Sequence, residues 1–369
     1  MDRRETERIL RAIHQARGSG TRVALATIVR VKGSAYRREG ARIVVRDDGS
    51  YECLLSGGCL EPAVAHVAAR VIATGEPVLV AYDLAEDSVW SLGVGCSGAV
   101  DIRIERVEDD PLTRAWLQVL ERGAGAVLVT PLSGAAGRLL VREADVVGDL
   151  DDLRVAAAAI VFAREQLLLP RAQSGPALVV GAELFFEISA PPPELVLFGA
   201  GPDAAPLARQ ARDLGFIVTV VDVRASMLTD ERFPGATLRA THYSRFPEDV
   251  ALTSRSYVVV MNHHLERDQH SLRFALASDA PYVGVLGPRA RYLRLLNRLA
   301  ADDAPPDAAQ LARVRNPVGL ALGAETPEEI ALSILGEIVA VRRGFEGGFL
   351  DGRVAGLHRP DDTRLFARS

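Results

Sequence analysis

Apolar positions recur along this chain with two periods, and the changes of period divide it into elements. Between residues 3 and 17, Ile9, Leu10, Ile13 and Ala16 fall on one helical face. Thr21 to Val31 alternates and is rich in β-branched residues, which predicts a strand. Ala41 to Arg46 and Tyr51 to Leu55 predict two more, joined by Asp47-Asp48-Gly49-Ser50 as a hairpin turn. A helix is expected from Glu61 to Thr74, with Pro62 in its first turn and Gly75 at its end. Val78 to Tyr82 and Val100 to Arg106 complete a first set of strands. A second set echoes it: Ala126 to Pro131 is a strand, Gly137 to Arg142 resembles Gly40 to Arg46, and Glu183 to Ile188 resembles Val100 to Glu105. An internal repeat over 23–107 and 125–190 is therefore expected, with the cysteine loops in the first copy alone.

Pro191-Pro192-Pro193 marks a domain boundary, and the pattern changes beyond it. Glu194 to Phe198 is almost continuously apolar, as in a parallel sheet covered on both faces. It runs into Gly199-Ala200-Gly201-Pro202-Asp203 and then a helix bearing Ala204, Leu207, Ala208 and Ala211. Phe216 to Val221 is the next strand and ends at Asp222-Val223-Arg224. Strand, glycine loop, helix, strand and acid in that order predict a Rossmann βαβ unit. Tyr257 to Met261 and Tyr282 to Leu286 extend the sheet. Ligands of such sheets bind at the carboxyl ends of the strands. That rule places Gly199, Gly201, Asp222, Arg224, His263, Gly287 and Arg289 along one crevice. Thr326, Pro327 and Glu329 form the capping signature of a last helix. The expected fold is α/β: an N-terminal mixed α/β domain over 1–190, a Rossmann-like domain with a mostly parallel sheet over 194–345, and a tail over 346–369.

Composition narrows the function classes. A net charge of −5 over 369 residues gives no basic footprint for nucleic acid. The longest apolar run, Val155 to Ala163, is too short for a membrane span. Three cysteines argue against a disulfide framework and for a reducing compartment, hence a cytoplasmic location. Lys32 is the single lysine, so arginine carries almost all positive charge.

Candidate chemistry concentrates in two cysteine loops. In Ser56-Gly57-Gly58-Cys59-Leu60-Glu61, two glycines and a cysteine precede a helix, where amide N–H groups attract anions and lower a thiol pKa. Glu61 works against that effect. Gly95-Cys96-Ser97-Gly98 is a similar setting without a following helix. Lys32 to Gly40, with Arg37 and Arg38, is a basic loop that can hold an anion, and Arg42 follows it. The expectation is one pocket lined by Gly57, Gly58, Cys59, Gly95, Cys96 and by Arg37, Arg38 or Arg42. Cys53 reads as packing. The same residues are compatible with two small buried thiols beside turns and a solvated basic turn. In the second half, Pro202 removes one amide donor and Asp203 adds a negative charge where a pyrophosphate would sit, which disfavours NAD(P).

Taken together, these residues resemble the XdhC/CoxI family, accessory factors of xanthine dehydrogenase and related molybdenum hydroxylases. The markers are Gly33-Ser34, Arg37-Arg38, Gly40-Ala41-Arg42, Ser56 to Glu61 and Gly95 to Gly98, then Phe198 to Gly201, Val221 to Arg224, Gly284 to Gly287 and Pro317 through Ala331. The resemblance implies a chaperone that binds the molybdenum cofactor (molybdopterin), supports its sulfuration by a cysteine desulfurase and inserts it into an apoenzyme of the xanthine dehydrogenase or CO dehydrogenase type. Cys59 or Cys96 would then approach molybdenum, and a homodimer is compatible with that role. The chain departs from the family pattern at Tyr36, Ser97, Pro202 and Asn262-His263-His264. Two other readings stand beside this one: an NAD(P)-dependent oxidoreductase, and a scaffold that joins desulfurase to hydroxylase without holding the cofactor.

Overall fold

A computed structural model describes residues 3–84, 98–169, 171–301 and 305–351. They form two compact units, Arg3–Pro191 and Pro192–Asp351.

The first unit opens with α1 (Arg3–Ser19), β1 (Val23–Gly33), β2 (Arg42–Arg46), β3 (Tyr51–Glu52), α2 (Glu61–Thr74), β4 (Val78–Asp83) and β5 (Gly98–Arg106). Its strands make an antiparallel sheet in the order β3-β2-β1-β5-β4. Strand β1 is buried along most of its length, so both faces of the sheet are covered. Helix α2 starts with Pro62 in its first turn and stops where Gly75 turns left-handed. The third strand is shorter than its alternation predicts. Cys53 has φ 72, and the left-handed residue takes the chain out of the ladder before Leu55.

Helix α3 (Pro111–Arg122), capped by the Asp110 carboxylate on the Thr113 amide, leads into a second sheet. Here β6 (Ala126–Ser133), β7 (Gly137–Arg142), β8 (Val146–Leu150), α4 (Leu153–Leu168), β9 (Gly175–Val179) and β10 (Ala182–Ser189) follow. The order is β8-β7-β6-β10-β9. Strands β7 and β10 thus occupy the places that β2 and β5 hold in the first sheet, and a helix again separates the third strand from the fourth. Buried or half-buried ion pairs join the two sheets: Arg42 with Glu187 at 2.7 Å, Arg30 (which also pairs with Asp101 of its own sheet) with Glu183, and Arg138 with Glu105 at 3.6 Å.

The second unit contains β11 (Glu194–Phe198), α5 (Ala204–Asp213), β12 (Ile217–Asp222), β13 (Thr237–Ala240), α6 (Phe246–Asp249), β14 (Ser256–Val260), α7 (Leu265–Leu276), β15 (Tyr282–Val285), α8 (Arg289–Ala300), α9 (Ala308–Ala312), β16 (Val314–Arg315) and α10 (Pro327–Arg343). All six strands run parallel in the order β13-β12-β11-β14-β15-β16, the doubly wound arrangement. One face is covered by α5 and α10 through Leu207, Ala211, Ile334 and Ile338. The other is covered by α7 and α8 through Leu272, Ala275, Leu295 and Leu299. The last helix carries the expected capping box, Thr326 with Glu329. No helix of the described residues is long and apolar enough to cross a membrane.

Candidate functional site

The corner that precedes α2 is built around two buried side chains. Ser56 Oγ accepts from the amides of Gly58, Cys59 and Leu60 at 3.2, 3.2 and 3.1 Å. Its own hydroxyl donates to Glu61 Oε2 at 2.6 Å. Glu61 is fully buried, and its other oxygen accepts from the amides of Leu55 and Ser56 at 2.9 and 2.8 Å. Burial by itself raises the Glu61 pKa, but the hydrogen bonds from the Ser56 hydroxyl and from the Ser56 and Leu55 amides outweigh it and leave the pKa lowered. The carboxylate therefore stays charged inside the corner and folds back onto the loop. The Cys59 thiol lies 3.5 Å from Ser56 Oγ and is half-buried. Among the described residues, a Cβ placed on Gly57 or Gly58 would meet nothing within 4 Å, so the glycine backbone before the thiol is open there.

This arrangement corrects one expectation. The three amides do not wait for an anion, because the Ser56 hydroxyl already stands where an anion would. What the corner presents outward is sulfur and open glycine backbone.

The loops around it gather at one end of the first sheet. Arg106, at the far end of β5, donates to the carbonyl of Ile72 near the C-terminus of α2. The N-terminus of α2 therefore lies toward the start of β5, where Gly98 pairs with Gly33. The chain also runs from β3 alongside β2 toward that end, since Glu52 pairs with Val44. Gly98 itself is wedged against the β1–β2 loop, and a Cβ there would lie 2.2 Å from the Ser34 carbonyl oxygen. Cys96 and Gly95 lie outside the described residues.

The three arginines proposed for this pocket part company. Arg37 grips the Glu5 carboxylate with two nitrogens, at 2.6 and 2.7 Å. Arg38 makes a looser pair with Glu39 at 3.5 Å and stays a third exposed. Arg42 turns the other way. It is 4 % exposed, pairs with Glu187 and lies 5.3 Å from the Trp116 ring. Its Nε and Nη1 have no hydrogen-bond partner, so it serves the packing of the two sheets and not the corner. Cys53 is buried and burial pushes its thiol pKa up, as suits plain packing.

The crevice of the second unit is largely self-occupied. Gly199, at φ +118, lets β11 pass so close to β14 that a Cβ would lie 2.4 Å from the Met261 carbonyl oxygen. Asp222 does not offer its oxygens outward. They accept from the Ala200 amide at 2.8 Å and from the Arg224 amide and guanidinium at 2.7–2.9 Å. Burial raises the Asp222 pKa, yet the Arg224 and amide hydrogen bonds hold it below the usual carboxylate range. Arg232 reaches back onto the carbonyls of Ala200 and Gly201, a role that no local sequence signal marks. His263 adopts φ 56 and pairs with Asp203 at 3.4 Å, across from Gly201. Arg289 stacks on Tyr292, while Gly287 lies beside the Arg291 side chain. The crevice thus keeps its Rossmann outline with the Asp222 carboxylate already engaged. Titration with NAD or NADP should show no binding tighter than about 1 mM, and a micromolar constant would overturn this reading.

Residues 16–83, which contain the Ser56–Glu61 corner, match the XdhC and CoxI family, and residues 195–338 match the XdhC Rossmann domain. A Bacillus subtilis protein described as a probable subunit of xanthine dehydrogenase is 34% identical over 335 residues, 86% of this chain and 93% of the relative. The chain belongs to the XdhC and CoxI family. A second relative, the molybdenum cofactor insertion chaperone PaoD of Escherichia coli, is 26% identical over 90% of this chain and 88% of its own length. A Bacillus halodurans crystal structure described as a xanthine dehydrogenase superposes with a TM-score of 0.74 at 29% identity, over 91% of this chain and 96% of the other. The family assignment places the half-buried Cys59 thiol inside the matched N-terminal segment and leaves Cys96 beyond it.

Proposed function

We propose that this chain is an accessory factor that binds the molybdenum cofactor in its first unit and delivers it to a molybdenum hydroxylase apoenzyme. The observation that carries the proposal is the Ser56–Glu61 corner. It holds a half-buried thiol beside open glycine backbone on a rigid internal hydrogen-bond frame. The names of two relatives, one a cofactor insertion chaperone and one a probable part of xanthine dehydrogenase, support the same reading.

The donor set fits the cofactor in part. A thiolate suits a soft metal centre or a transferable sulfur. The cofactor supplies that centre together with a phosphate and a polar pterin. The phosphate does not belong on the amides of Gly58, Cys59 and Leu60, which Ser56 fills; Arg38, with its loose pairing, is the better anchor. Ser56 and Glu61 orient the thiol, and the buried carboxylate keeps the loop closed. Sulfuration by a cysteine desulfurase on this platform, and service to a CO dehydrogenase type of hydroxylase, belong to the same proposal.

Purification from cells that make the cofactor, followed by assay for molybdenum and oxidised pterin, tests it. Near-stoichiometric amounts of both are expected. Protein that carries neither, yet still activates its hydroxylase, would favour a scaffold.

A further inference from the structure

Arginines of α1 and β2 converge on a cavity that the Ser56–Glu61 corner does not use. Arg8 and Arg11, three positions apart, share one side of α1. Arg46 ends β2, and Glu52, paired across from Val44, stands on the same face of the sheet as Arg46. With Ala12 and Gln15 of α1, these side chains line a cavity of about 140 Å³. One water takes up roughly 30 Å³, so there is room for a group of several heavy atoms. None of the residues from Ser56 to Glu61 lines it.

The charges around this cavity do not balance. Three guanidinium groups share one carboxylate. Glu52 accepts from Arg8 Nη2 at 3.2 Å and from Arg46 Nη2 at 3.4 Å, one long bond each. The hydrogen bond from Arg8 leads the causes that hold the Glu52 pKa down against burial, so the carboxylate is charged. Arg46 turns its Nη1 to the Ser50 hydroxyl at 3.2 Å. Arg11 has no hydrogen bond or ion pair among the described residues. Asp48 attracts Arg46 from the β2–β3 turn, but it does not line the cavity, and it already accepts from the Ser50 amide at 2.8 Å. Three arginines against one glutamate leave the lining positive, in a chain whose net charge is −5.

The shape of the donor set selects the ligand. Each guanidinium is a planar fork of donors, and the three approach from two different elements. A tetrahedral oxyanion offers oxygens in several directions and can meet all three forks. A carboxylate offers two oxygens in one plane, and Glu52 already fills that place. The seat is concave, which suits a compact group better than an extended acidic segment of a protein. We infer that Arg8, Arg11 and Arg46 form a binding site for the phosphate or pyrophosphate group of a small molecule, separate from the site at the Cys59 corner.

Calorimetric titration of the full chain with inorganic pyrophosphate tests this. A dissociation constant of about 1 mM or tighter is expected. Arg11→Ala should weaken it about tenfold, the factor carried by one charge-assisted hydrogen bond. Arg11 is exposed and unpartnered among the described residues, so an unchanged thermal midpoint will show that this variant folds. Glu52→Gln should tighten binding several-fold, because it removes the one like charge from the lining. Oxidised pterin retained by Arg11→Ala should equal the parent's, as a site separate from the corner requires. No heat at about 10 mM pyrophosphate, or parental affinity in Arg11→Ala, overturns the inference. So does weaker binding by Glu52→Gln, which would make that network purely structural. An aspartate-rich peptide that binds more tightly than pyrophosphate would overturn the phosphate assignment, and loss of pterin from Arg11→Ala would overturn the separation from the corner.

Discussion

Cys59→Ala should give a folded chain that retains at least about tenfold less molybdenum and pterin than the parent and fails to activate its hydroxylase. Even groups one shell removed from a metal commonly contribute about 10–100-fold to its binding, so a direct sulfur contact should be worth no less. Stability should hardly change. Cys59 is half-buried, its thiol makes one long contact to Ser56, and the frame of Ser56 and Glu61 survives without it. Cys53→Ala serves as the control and should retain the cofactor, because that thiol is buried and its contact is a 3.8 Å approach to the Glu5 carbonyl. Molybdenum and oxidised pterin measured on the purified proteins decide the matter. Retention by Cys59→Ala equal to the parent would show that the backbone and Arg38 hold the ligand without sulfur.

The largest stability effect is expected at Glu187, far from that thiol in sequence. Its carboxylate receives Arg42 at 2.7 Å and the Trp116 indole N–H at 3.1 Å, and all three side chains are buried. Glu187→Ala leaves a buried guanidinium with no anion. Breaking a buried pair in this way costs about 3–5 kcal/mol. For a unit of this size that lowers the first thermal transition by roughly 10 °C. Replacing both partners, as in Arg42→Met with Glu187→Leu, should recover most of the loss, since the desolvation penalty of both charges disappears. A calorimetric scan in which Glu187→Ala melts within about 2 °C of the parent would mean that water reaches the pair.

Local residues determined much of this protein. The second unit was legible because strand, glycine loop, helix, strand and acid follow each other in close succession, and each depends on neighbours in sequence. Helix α2 was legible for the same reason: Pro62 suits its first turn and Gly75 supplies its left-handed stop. The likeness of Gly137–Arg142 to Gly40–Arg46 and of Glu183–Ile188 to Val100–Glu105 falls on strands with matching places in two sheets of one strand order. Helix α3 carries an equally local signal in Asp110 as cap, Pro111 after it and Gly123 at the end. Cys53 ends its strand early through a backbone angle that side-chain alternation does not encode.

What only tertiary structure decided is the fate of each polar group, because a hydrogen bond or ion pair is settled by whichever partner the fold brings nearest. Arg37, Arg38 and Arg42 are near neighbours in sequence, yet one is bound to Glu5 on α1, one remains half-open, and one is buried against Glu187 of the other sheet. The glycine corner read as an open anion site from its composition, and the fold filled it with the Ser56 hydroxyl. Asp222 ends the second strand of its unit beside the glycine loop, and the fold committed its oxygens to Ala200 and Arg224. Sequence fixes which residues sit on a turn or a strand end through short-range geometry. Which of them still face outward depends on partners that range from a few positions away, as at Ser56 and Arg224, to more than a hundred, as for Arg42, and only the folded chain brings the distant ones together.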